Sequence, residues 1–171
     1  MMRTVIVLGS SRSKGDTRLM VDYLIESTDW SLIDLSEKTI GQYDYEYRNQ
    51  EDDYLPTVRD IIENYDVVLF ATPVYWYSMS GILKAFFDRI TDLLKMHRSL
   101  GKAFRGKQVG VISCASEDET KPGFYMPFVE SAKYMHWKYV GQVHGWVEEE
   151  GLPPLVKERL DTFRQMINKL P

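Results

Sequence analysis

The stretch TVIVLGSSRSKGDT, residues 4–17, decides how this chain folds. Val5 to Leu8 form an unbroken apolar run that ends on Gly9. Such a run, rich in Val and Ile, is the pattern of a strand buried on both faces, as in a parallel sheet. The residues that follow are opposite in character: serines, Arg12 and Lys14, then Gly15, Asp16 and Thr17. Apolar residues then return at helical spacing, with Leu19, Tyr23 and Leu24 on one face and Asp22 and Glu26 on the other. A strand, a small-residue loop and a helix in that order bring free backbone N–H groups together at a helix start. Those donors and the helix dipole favour an anion there.

The alternation continues along the chain. Residues 31–35, 67–71, 109–113 and 139–147 read as further strands. Between them, Ile82, Phe86, Ile90, Leu93 and Leu94 share one helical face, while Lys84, Asp88, Asp92 and Lys95 face away. Val156, Leu160, Phe163, Ile167 and Leu170 repeat at helical spacing after Pro153 and Pro154 open the last helix. Repeated strand–helix units predict an α/β, three-layer sandwich around a five-stranded parallel sheet. Right-handed crossovers favour the order 2-1-3-4-5, with residues 31–35 at an edge. The whole chain, residues 1–171, reads as one domain. Its irregular segment is residues 41–56, tyrosine-rich and acidic, read as a solvated loop.

In open sheets of this kind ligands lie beyond the C-terminal strand ends, at the switch in strand order. That singles out residues 9–17, 72–81 and 114–123. In the first loop, serine and threonine hydroxyls and the forked guanidinium of Arg12 suit a phosphate, and Gly15 permits a tight turn. Asp16 or Thr17 would cap the helix. The Walker pattern is missing, because Asp16 rather than Lys follows Gly15, and so is G-x-G-x-x-G. Hydroxyls with one arginine suit a terminal phosphomonoester. In the second loop Tyr75, Trp76 and Tyr77 stand in succession, and a loop cannot send all of them into a core. A flat aromatic ligand between the two loops is the sharper reading.

At these residues the chain resembles the NAD(P)H-dependent FMN reductases, a flavodoxin-like family. GSSRSKGDT resembles that family's first loop, and TPVYWYSMSGILKAFFDR, residues 72–89, its second signature. The resemblance implies a flavodoxin-like FMN-binding domain. It places Ser10, Arg12, Gly15, Asp16 and Thr17 at the FMN phosphate, and Pro73, Val74, Tyr75, Trp76 and Tyr77 along the isoalloxazine ring. Ser113, Ala115 and Ser116 would supply the third loop, where this chain reads SCASEDE and the family is often glycine-rich. NADH or NADPH would be the co-substrate. The iron–sulfur branch of such flavoproteins carries cysteines after the second strand, whereas residues 41–54 hold none here; without thiolates that cluster cannot be ligated.

Composition narrows the rest. The net charge of −4 offers no broad basic surface for nucleic acid. The N-terminal apolar run is too short for a signal sequence or a membrane span. Cys114, the single cysteine, allows no internal disulfide and suits a reduced, cytoplasmic protein. His97, His136 and His144 share no metal-ligand spacing, and no catalytic side chain is assigned, because a flavin carries the redox chemistry. The expected activity is hydride transfer from a nicotinamide to FMN and on to a small acceptor such as a quinone or a flavin. A flavodoxin-like electron carrier is the alternative, although such carriers are usually more acidic. A homodimer is expected, with residues 42–54 and 86–94 as contact surfaces.

Overall fold

Strand alternation sorts the apolar residues into two cores. In β1 (Thr4–Leu8), Val5 and Val7 face one layer of helices while Ile6 and Leu8 face the other. The computed structural model describes residues 2–171. After α1 (Asp16–Ile25) come β2 (Ser31–Asp34) and a short 3-10 turn, then α2 (Tyr54–Asn64) and β3 (Val67–Pro73). Next are α3 (Gly81–Asp88), α4 (Ile90–Lys95), α5 (Arg98–Ala103) and β4 (Gln108–Ala115). The chain ends with α6 (Met126–Met135), β5 (Lys138–Trp146) and α7 (Pro154–Asn168).

The strands form one parallel sheet in the order β2-β1-β3-β4-β5, as the crossover argument requires. Every residue of β1 and β3 is buried, as the continuous apolar runs predict for central strands. α1 and α7 cover one face, packing Met20, Leu24, Leu160 and Phe163 against Ile6, Leu69 and Ile112. The helices from α2 to α6 cover the other, around Phe70, Phe86 and Trp137. No helix among the described residues is long and apolar enough to cross a membrane.

Four expectations are corrected. The helix expected across residues 82–94 breaks at Arg89 into α3 and α4. Asp92 does not face away: it is buried, with its Oδ2 2.5 Å from Arg89 Nε. An i,i+3 ion pair held inside the protein overrides the polar-outward pattern that its sequence position suggests. Most apolar residues of the 86–94 contact surface, Phe86, Phe87, Ile90 and Leu93 among them, belong to the protein's own core. The irregular segment before α2 is also anchored more firmly than a solvated loop would be. Arg89 donates from Nη1 to Gly41 O (3.1 Å) and from Nη2 to Asn49 O (2.9 Å), and its guanidinium lies 4.7 Å from the centre of the buried Tyr54 ring.

Candidate functional site

The C-terminal ends of β1, β3 and β4 lie side by side, and their loops leave from there. Gly9 N–H donates to Ala71 O (2.8 Å) and Val74 N–H to Cys114 O (2.7 Å), so sheet pairing continues into each loop. Ser80 joins two of the loops. Its Oγ donates to Gly9 O at 2.5 Å and accepts from Leu83 N–H at 3.1 Å, capping α3. The approach is close enough to demand glycine: a Cβ on Gly9 would stand 2.5 Å from Leu83 Cβ. Ser80 went unnoticed as a site-building residue in the sequence. Its place as a serine directly before the Gly81 helix start was the available signal.

Between the loops lies a cleft of about 220 Å³. Ser10, Arg12, Gly15, Asp16 and Thr17 line it from the first loop, Pro73, Val74 and Tyr75 from the second, and Ala115 and Ser116 from the third. Cys114 lines it as well. Ser113 does not; its hydroxyl points to Tyr125 and His144. Ser113 faces the layer opposite Cys114 and lies short of the strand end where the cleft opens. Burial pushes the Cys114 thiol up to about 12, with Asp16 adding to the effect, so it stays a neutral, packed group.

Trp76 and Tyr77 also lie outside the cleft, at the tip of a tight turn. Tyr75 and Ser78 exchange backbone hydrogen bonds of 2.9 and 3.0 Å, and the two residues between them have φ of 47° and 64°. Two consecutive positive φ values make a primed hairpin turn, which normally takes Asn and Gly. Here it takes two large aromatics, 92% and 65% exposed. Left-handed backbone costs such residues about 1–2 kcal/mol each. Their exposed rings gain no core packing to offset that cost, and backbone strain of this kind gathers at functional loops. Phe124, by contrast, is buried in the core beneath the third loop.

The first loop has the chemistry of an anion site. Gly15, not Asp16 or Thr17, is the N-cap of α1, and no side chain caps the helix. The first-turn N–H groups are therefore left for another acceptor. Ser10 Oγ instead steadies the loop, accepting from Arg12 N–H at 3.2 Å and donating to Arg12 O at 3.1 Å. The exposed Arg12 guanidinium has no acidic partner among the described residues, and Gly15 lies against it, where a Cβ would come within 3.3 Å of Arg12 Cβ. Uncapped amides, hydroxyls and a free guanidinium fit the phosphate of FMN, with the Pro73–Tyr75 wall next to it for an aromatic ring.

A doubly wound sheet with a phosphate-type loop and an aromatic loop at its switch point defines a flavodoxin-like flavoprotein. The chain belongs to the NADPH-dependent FMN reductase family, whose model matches residues 2–121. It is 26% identical over 161 residues to YwqN of Bacillus subtilis (strain 168), covering 90% of this chain and 87% of that one. YwqN is provisionally named an NAD(P)H-dependent FMN-containing oxidoreductase. An NADPH azoreductase of Bacillus sp. (strain OY1-2) is 26% identical over 97 residues, 57% of this chain and 54% of the relative. In fold the chain is similar to the Trp repressor binding protein of Bacillus subtilis, with a TM-score of 0.76 at 22% identity over 99% of this chain and all of that one. The protein is thus an NAD(P)H-dependent flavin oxidoreductase with FMN as its cofactor.

Proposed function

We propose that the protein takes hydride from NADH or NADPH onto FMN held in the three-loop cleft and passes the electrons to a small acceptor: a quinone, a free flavin or an azo compound. The observation that carries this is the convergence of an uncapped helix start, a free arginine and a Pro–Val–Tyr wall on one cleft. In this reading Arg12, the Thr17 hydroxyl and the amides of Gly15, Asp16 and Thr17 hold the phosphate, and Ser10 shapes the loop around it. Pro73, Val74 and Tyr75 border the ring, and the exposed Trp76 and Tyr77 offer aromatic surface beside it to an incoming nicotinamide or acceptor. Ala115 and Ser116 close the third side. FMN supplies the hydride-accepting ring and the protein supplies position, so no acid–base side chain is required.

The same reading takes residues 1–171 as one cytoplasmic domain acting as a homodimer, with the exposed Tyr45 marking residues 42–54 as a contact segment. The experiment is anaerobic mixing of the FMN-loaded protein with NADH or NADPH. Rapid bleaching of the flavin, followed by turnover when menadione or an azo dye is added, is the expected result. Reduction by dithionite but by neither nucleotide would make the protein an electron carrier instead.

A further inference from the structure

The third loop is held from behind by a chain of hydrogen bonds that the flavin chemistry does not use. Ser113, fully buried at the end of β4, has its Oγ 2.7 Å from the Tyr125 hydroxyl and 2.9 Å from His144 Nδ1. The other imidazole nitrogen, Nε2, lies 3.0 Å from the backbone oxygen of Glu117. A carbonyl only accepts, so Nε2 carries a proton and donates to Glu117 O. The Ser113 hydroxyl bridges the Tyr125 hydroxyl and Nδ1. Burial pushes the Tyr125 phenol up, against its hydrogen bonds with Ser113 and Thr120, so it stays protonated. The bonds run from Tyr125, at the N-cap of α6, through β4 to β5 and out to the loop.

A second tie lies one residue further on. Arg159 of α7 forms a two-pronged ion pair with Asp118, its Nη2 3.0 Å from Oδ2, and stacks 5.5 Å from the centre of the Trp146 ring. That pair is exposed and contributes little alone. The other tie is anchored at its inner end, where the Ser113 hydroxyl is buried and lies within reach of both Tyr125 and Val143 O. Ala115 and Ser116, the cleft-lining residues, sit between Ser113 and Glu117 and so are fixed from both ends.

We propose that His144 is a positioning residue: its bond to the Glu117 carbonyl, backed by Ser113 and Tyr125, straps the third loop in the position that receives the flavin. This rests on the flavin reading of the cleft. A strap of this kind acts on the loop as a whole, so it serves FMN and riboflavin alike.

The test compares full-length His144→Gln and His144→Asn by amide hydrogen exchange of residues 115–120 and by FMN and riboflavin affinity. Gln can keep an N–H near the position of Nε2 and so keep the tie to Glu117. Asn keeps an acceptor for Ser113 but stops short of the loop. Gln is expected to match the wild type. Asn is expected to speed loop exchange and weaken both flavins by about five- to tenfold, the equivalent of one hydrogen bond, without loosening β4 or β5. Should Asn fail to fold, Ser113→Ala reads the same quantities with the same sign. Equal behaviour of Gln and Asn overturns the proposal, as does faster exchange spread through both strands. A wild type that binds no FMN, with loop exchange still separating Gln from Asn, removes the flavin reading and leaves the strap standing.

Discussion

The guanidinium of Arg89 lies buried against the carboxylate of Asp52, with Nη1 2.6 Å from Oδ2 and only 1% of the Arg89 side chain exposed. This contact binds the irregular segment before α2 to the break between α3 and α4. Arg89→Met removes one partner of a buried pair and leaves Asp52 and Asp92 uncompensated. The loss is expected to be about 3–5 kcal/mol, read as a lower midpoint in urea unfolding, and the tyrosine-rich segment should become sensitive to protease.

The same pair sets an acid limit. Burial pushes the Asp52 carboxyl up, but the Arg89 hydrogen bond and the amides of Gly41 and Tyr54 outweigh it and hold the group below its ordinary value. A depressed folded-state value adds stability above the unfolded value, about pH 4, that is lost as pH falls further. Urea midpoints measured from pH 5 to pH 2 should therefore fall more steeply for the wild type than for Arg89→Met.

Arg12→Ala should separate phosphate binding from ring binding. A charge-assisted hydrogen bond contributes about 1.5–3 kcal/mol, and riboflavin has no phosphate to receive it. FMN affinity should fall more than tenfold while riboflavin affinity holds, as read by flavin fluorescence titration. Equal losses for the two ligands would assign Arg12 to the fold.

The turn at Trp76 and Tyr77 carries backbone strain that Asn and Gly would relieve. Trp76→Asn with Tyr77→Gly is expected to stabilise the flavin-free protein by about 1 kcal/mol, read as a higher melting temperature. If these rings receive the nicotinamide or the acceptor, the KM for one of them should rise in the same variant. A less stable variant would show that the aromatics hold the turn rather than strain it.

Cys114 should behave as a packed thiol. With burial raising it to about 12 and Asp16 assisting, almost none is thiolate at pH 8. Ellman's reagent should react slowly with the native protein and at once in denaturing urea. Fast labelling of the native state would contradict the closed environment seen beside Thr17.

Much of the fold was legible because a parallel sheet buries its central strands on both faces. Val5–Leu8 and Val67–Ala71 could therefore be recognised as runs, and connection handedness left one plausible strand order. The first loop's place at a helix start was legible for a similar reason: the start is local, and Ser10, Arg12, Gly15 and Thr17, which line the cleft, are neighbours in the chain. The charge of Asp92 suggested solvent, and only the packing of a distant loop turned it inward with Arg89, which meets both Asp92 and Asp52. Ser113 illustrates the same limit, since one step along a strand decides which layer a side chain faces. That register follows from pairing with β3 and β5, through contacts between residues far apart in sequence. Short-range patterns record which residues a strand, helix or loop prefers, whereas side-chain partners are set by whichever elements the folded chain brings against them.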